Sequence, residues 1–210
     1  MLSMLQSLYE VGGPVLVLII AISTFTLALV AFKYWQFRSD HIGRLKTVKS
    51  ALPSLNRGDD KQAHAILANS KHWLAQLIDS ALPLRSREGL IPRLETEAEQ
   101  ILQPYESGFR VLDTIAQLAP LLGLLGTVLG MIEAFQALQT AGSQVDPAAL
   151  AGGIWVALLT TAAGLSVAMP TSIALSWFEA QIDRERAMAE HAFTVLVTPT
   201  SEAREHTELG

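Results

Sequence analysis

The chain contains no cysteine, so it holds neither a disulfide framework nor a thiolate metal site. Positive charge is missing from particular stretches. Of 15 Lys and Arg residues, 12 fall between Lys33 and Arg110, the others are Arg184, Arg186 and Arg204, and residues 1–32 and 139–149 have none. No phosphate loop, GxSxG elbow or HExxH helix occurs, which removes the usual signatures of nucleotide, serine and zinc catalysis. The reading is therefore of a non-enzyme with no cofactor and no nucleic-acid partner. Five histidines, His41, His64, His72, His191 and His206, show no ligand-like spacing; they read as surface residues, and no metal site is expected.

The apolar residues, half of a 210-residue chain, gather into three charge-free runs: Val11–Phe32, Thr114–Ile132 and Pro147–Phe178. A bilayer core of about 30 Å takes roughly 20 helical residues, and soluble core helices seldom reach that length without a charged face. Each run is long enough to span. The first could be a cleaved signal, but no basic segment precedes it, and Lys33, Tyr34 and Trp35 follow where small residues would mark cleavage. It reads as a retained helix with an interfacial aromatic and basic anchor at its end.

The fold class expected is an all-α membrane protein with three transmembrane helices and long cytoplasmic helical extensions. The asymmetry of Lys and Arg orients it by the positive-inside rule: an N-terminus on the outer side over residues 1–13, helices at 14–35, 112–138 and 150–178, a cytoplasmic helical domain over 36–111, an outer connector over 139–149 and a cytoplasmic tail over 179–210. Within 36–111, helical periodicity is interrupted at Pro53, at 56–60, and at Pro83 and Pro92. From Arg93 onward the pattern is expected to run into the second spanning helix without a loop. The third run would be about 48 Å long as a helix, so part of it must lie outside the hydrocarbon. Its start is read at Asp146 and Pro147, an N-cap with a first-turn proline, and the polar tail beyond Pro199 is expected to be disordered.

Chemistry concentrates in the second and third runs. Gly123, Thr127 and Gly130 lie on one side of the second, with Gly126 and Pro120 extending the small-residue packing surface. Ala157, Thr161, Gly164 and Ala168 repeat the pattern on the third, which also carries Thr160 and Pro170. With a hairpin turning near Leu138 and Ala149, Thr127 and Thr161 sit 11 and 12 residues from the turn, roughly 17 Å deep. Several copies would form a hydroxyl ring near mid-membrane. Membrane helices also use glycine and alanine simply to pack, and threonine often bonds its own helix, so spacing alone leaves both readings open. Glu133 and Asp113, one towards each end of the second run, are candidates for ion entry or exit or plain interfacial groups.

The segment from Leu118 to Leu138, LAPLLGLLGTVLGMIEAFQAL, together with Gly152 to Pro170, GGIWVALLTTAAGLSVAMP, resembles the paired signature of the ExbB/TolQ/MotA proton channel family on its ExbB and TolQ side. The four-helix MotA branch fits less well. The resemblance implies a homopentamer in the bacterial inner membrane whose second and third helices, with Thr127, Thr160 and Thr161 in the ion pathway, enclose the single-span helix of an ExbD- or TolR-like partner bearing an aspartate. It implies a stator that uses the proton motive force to energise TonB-dependent outer-membrane transport through a TonB-like protein, or a TolQ-like envelope-maintenance motor. Where many relatives carry a glutamate five residues before the third-helix threonine, this chain has Val156. That departure suits altered conduction or a non-conducting membrane scaffold.

Overall fold

A polypeptide in hydrocarbon has no water to bond its backbone, so each long apolar run must satisfy its own N–H and C=O groups, which only a helix does within a single segment. The computed structural model describes residues 2–141 and 147–198, and among them every regular element is helical. The elements are α1 (Leu2–Ser39), α2 (Lys46–Asn56), α3 (Asp60–Leu67), α4 (Trp73–Ala81), a 3-10 turn (Leu82–Leu84), α5 (Leu90–Glu106), α6 (Phe109–Ala141) and α7 (Pro147–Val197). Among the described residues three stretches are long and apolar enough to cross a membrane: Gly13–Ser39, Phe109–Thr140 and Leu150–Val197. The chain is an all-α, multi-pass membrane protein. Its contacts divide it into one unit of residues 1–32 and 108–176 and another of residues 33–107 and 177–210.

The first unit is built from α1, α6 and the first part of α7. Helix α1 is interrupted at Gly13 (φ 63°, ψ −170°), immediately before Pro14. Ile19 packs with Ala119 of α6 and Val167 and Ala168 of α7, and Val15, Ile115, Leu122 and Ala163 close around them. Most of the remaining apolar surface faces outward. Leu27, Trp155, Leu158 and Ile173 are all more than 60% exposed, a surface that lipid or neighbouring chains must cover.

The second unit is a polar-surfaced bundle with an ordinary core. Val48 and Leu55 of α2, Leu74 and Ile78 of α4, and Phe193 and Leu196 of α7 are almost fully buried there. Two proline expectations are revised. Pro53 and Pro92 lie inside α2 and α5, and Pro104 also lies within α5. Pro92 falls in a first turn, where its missing N–H has no helical acceptor to lose. Between α5 and α6 the expected continuous helix is broken, by Ser107 in an extended conformation and Gly108 at φ 90°.

Several helix ends in the bundle are satisfied by side chains. Asp59 accepts the Gln62 N–H at the start of α3. Arg85 donates to the carbonyls of Leu55 (3.1 Å) and Leu196 (2.8 Å), closing the C-terminal turns of α2 and α7, and pairs with Asp60. Lys33 overturns its reading as an interfacial anchor. It is only 3% exposed, and its ammonium donates to the carbonyls of Pro104 (3.3 Å) and Tyr105 (3.0 Å) at the end of α5. A cation on the last carbonyls of a helix is favoured by their aligned dipoles. The exposed aromatics Tyr34, Trp35 and Trp177 are left as the candidates for an interfacial belt. Asp146 and the tail beyond Pro199 lie outside the described residues.

Candidate functional site

Helices α6 and α7 run antiparallel at very close range, because small residues face each other along their whole contact. A side-chain carbon added at Gly130 would lie 3.2 Å from the Ala157 Cβ, one at Gly153 would lie 2.7 Å from the Ala134 Cβ, and one at Gly126 would lie 2.5 Å from the Thr160 hydroxyl. At Gly164 it would run into the Ala119 carbonyl, and at Gly123 it would meet the Thr160 carbonyl at 2.9 Å. Successive contacts pair 119 with 164, 123 with 160 and 161, 130 with 157, and 134 with 153. With Gly123 against Thr161 and Gly126 against Thr160, Thr127 lies within about one helical turn of both threonines. Gly153 belongs to the contact although sequence reading passed over it, and its partner Ala134 lies on the small-residue side of the second run; the neighbouring Gly152 meets nothing.

Each hydroxyl has a definite partner. Thr127 donates to the Leu124 carbonyl of its own helix (2.6 Å). Thr160, 1% exposed, donates to the Ala157 carbonyl (2.7 Å) and lies 3.4 Å from the Gly123 carbonyl. Thr161 crosses between helices to the Gly123 carbonyl (3.2 Å). A carbonyl can only accept, so the hydrogens of all three hydroxyls point into the backbone. The oxygen lone pairs of Thr127 and Thr161, both half-buried, are left as acceptors.

Helical period sorts the neighbouring residues into two flanks. Ile115 and Leu122 of α6 and Ala163 and Val167 of α7 form the flank on which α1 packs. Thr127 and Thr161 lie on the opposite flank. Asp113, Pro120 and Thr127 follow one another at heptad spacing, which places exposed Asp113 on the hydroxyl flank about 21 Å from Thr127. Glu133, also exposed, falls with Leu122 on the α1 flank, and so does half-buried Val156. Pro120 is half-buried and Pro170 is exposed.

A second polar centre lies within the bundle, and sequence reading missed it. Glu185, fully buried, accepts from the Gly43 N–H (2.6 Å), His72 Nε2 (3.1 Å) and the Trp73 indole N–H (3.1 Å). Gly43 sits at φ 86°, and a side-chain carbon there would strike the Gln181 amide at 2.6 Å, so only glycine brings its N–H to this carboxylate. His72, buried beside it, departs from the surface reading given to the histidines. No sequence spacing links residues 43, 72 and 185, which explains the miss.

Sequence comparison agrees with this architecture. The profile of the MotA/TolQ/ExbB proton channel family matches residues 65–191. A biopolymer transport protein, exbB1 of Vibrio cholerae, is 44% identical over 87 residues, covering 41% of this chain and 38% of that protein. An ExbB homolog of Methanothermobacter thermautotrophicus is 31% identical over 183 residues, 85% of this chain and 64% of that one. This chain thus spans less than two thirds of the length of those two relatives. Biopolymer transport protein ExbB of Neisseria gonorrhoeae is 32% identical over 193 residues, covering 82% and 86%. With a matched region taking in most of α6 and α7 and relatives aligned over most of its length, the chain belongs to the MotA/TolQ/ExbB proton channel family.

Proposed function

We propose that this chain is an inner-membrane ion-channel (stator) subunit that, with an ExbD-like single-span partner, uses the proton motive force to energise TonB-dependent transport at the outer membrane. In this reading the N-terminus is periplasmic, the bundle and C-terminus are cytoplasmic, and several copies, a pentamer as in the resembled family, turn the Thr127 and Thr161 flank towards the partner's helix. The observation that carries it is the pair of hydroxyl oxygens, bonded to the adjacent Leu124 and Gly123 carbonyls, on the flank away from α1.

Because their hydrogens are committed to backbone carbonyls, these oxygens accept hydrogen bonds. They serve a protonated carboxyl or a water, both donors, better than an ionised carboxylate, which is itself an acceptor. A partner's acidic group would be unstable here when charged, at a cost of several kcal/mol, and received once a proton neutralises it. Each charge crossing 100 mV releases about 2.3 kcal/mol, enough to bias such a cycle without nucleotide. Asp113, on the same flank, is placed to take the proton at the inner mouth; Glu133, on the other, is not.

The test is Thr127→Ala and Thr161→Ala in the host, with energy-dependent uptake as readout. Uptake is expected to fall at least tenfold at normal expression and to return with Thr127→Ser. Unchanged uptake in both alanine variants would sink the proposal. One observation favours a second reading, a non-conducting scaffold: Val156 stands where many relatives have glutamate, so α7 has no carboxyl of its own at that height. A TolQ-like role in envelope maintenance is separated from the ExbB-like one by asking which partner the purified complex retains.

A further inference from the structure

We propose that His72 and Glu185 form an acid-responsive latch in the bundle, in which protonation of the imidazole releases the first turn of α4. The argument starts from the two ring nitrogens. His72 is the N-cap of α4, and its Nδ1 accepts the Leu74 N–H (3.3 Å), so Nδ1 carries no hydrogen. Nε2 must then carry it and donate to Glu185. The ring is held as one neutral tautomer by a donor on one side and an acceptor on the other.

A second proton can bind only at Nδ1. That turns the cap acceptor into a donor facing the Leu74 N–H, in a place where Leu74 is fully buried and water cannot step in. The gain on the other side is an ion pair with Glu185. The same proton therefore strengthens the tie between His72 and α7 and breaks the tie between His72 and α4. Few other groups compete. From α5, Tyr105 feels the charge of Glu185; burial first, then its hydrogen bond to Asp40, push its phenol up to about 12, so it stays neutral. The loop before α2 contributes the Gly43 N–H, and α4 contributes the Trp73 indole. Glu185 is thus the one charged group bonded to the ring among the described residues. Where the bundle faces the cytoplasm, as the topology proposed above has it, the latch would sense protons delivered there.

Hydrogen exchange on the full-length protein in nanodiscs tests this without reference to transport. Protection, corrected for intrinsic rates, is compared at about pH 7.5 and 5.5, either side of the range where histidine changes charge. Amides 73–76 are expected to lose protection about fivefold at the lower pH, the scale on which losing an N-cap acts, with α2 unchanged. His72→Asn keeps a cap oxygen that cannot be protonated in this range, and should abolish the difference. Glu185→Gln removes the carboxylate that would pair with the charged ring and should make the loss of protection at the lower pH smaller. The same acid loosening in His72→Asn, or none in the unmodified chain, overturns the latch; if Glu185→Gln does not fold, the asparagine variant decides alone.

Discussion

The two units of this chain solve opposite problems with the same helix. In the unit of α1, α6 and the first part of α7, apolar side chains point outward and the interior contact is made of glycine, alanine and threonine. In the bundle, large apolar side chains fill the interior and charge lies outside, apart from the buried Lys33 and the buried Glu185 with its neutral partner His72. Water drives the second arrangement by expelling apolar surface. Lipid gives no such drive between helices, so the first arrangement relies on backbones approaching closely enough for dispersion and inter-helix bonds such as Thr161 to Gly123. The same residue type therefore carries different weight in each unit.

The largest expected effect exploits that difference. Phe193 is 1% exposed in the bundle core, whereas Ile173 is 72% exposed on α7. Phe193→Ala should destabilise the bundle by about 3–5 kcal/mol through lost burial and the cavity left behind. Ile173→Ala should cost less than about 0.5 kcal/mol in the isolated chain. Thermal unfolding in a fixed detergent, followed by exchange protection of α2 and α4, measures both. A large effect at Ile173 would mean that a specific neighbour, and not lipid, covers that face.

The next effect reverses the usual rule that adding apolar surface to a contact helps. Gly164→Val must displace the Ala119 backbone, while Gly152→Ala enters open space. The valine is expected to cost about 1–3 kcal/mol of hairpin stability through overpacking, and the alanine nothing detectable. Steric trapping or protease accessibility of residues 142–146 would separate them. Equal behaviour would show that the helices are free to part.

How much of this was open to sequence reading follows from the same contrast. The membrane unit announces itself because lipid imposes a rule on every residue of a span: no charge across Val11–Phe32, and small residues at helical spacing around Thr127 and Thr161. Those two threonines were legible because their register needs only a hairpin and a fixed rise per residue. Where the Thr161 hydrogen goes was not, since it depends on the Gly123 carbonyl of another helix, whereas Thr127 bonds its own helix, one of the readings its sequence left open. The bundle was less legible. Periodicity revealed helices, but prolines at 53 and 92 read as breaks although neither ends a helix. Lys33 read as a membrane anchor because sequence shows what precedes it, an apolar run, and not the α5 carbonyls that it caps. Glu185 and His72 are 113 residues apart, and burial alone makes them partners.

The smallest expected effect lies on the bundle surface, and it completes the contrast with the buried Glu185. Arg186 grips Glu99 with two bonds (2.5 and 3.0 Å) and reaches Glu106 at 3.0 Å. Its hydrogen bond holds the Glu99 carboxyl below the usual carboxylate range against an opposing push from burial, and its charge adds a smaller pull in the same direction as the bond. A carboxyl whose folded-state value is lowered stabilises the fold above its unfolded value and loses that contribution as pH falls through the lowered one. Stability from this pair is therefore present at neutral pH and disappears only in acid, below the ordinary range of glutamate. Glu99 is half-exposed, so screening by water and salt limits it. Glu99→Gln should cost no more than about 0.5 kcal/mol at neutral pH, shrinking further at high salt and vanishing in acid. A loss of several kcal/mol, insensitive to salt, would place this surface out of water and require the boundary between the two solvents to be redrawn along α5.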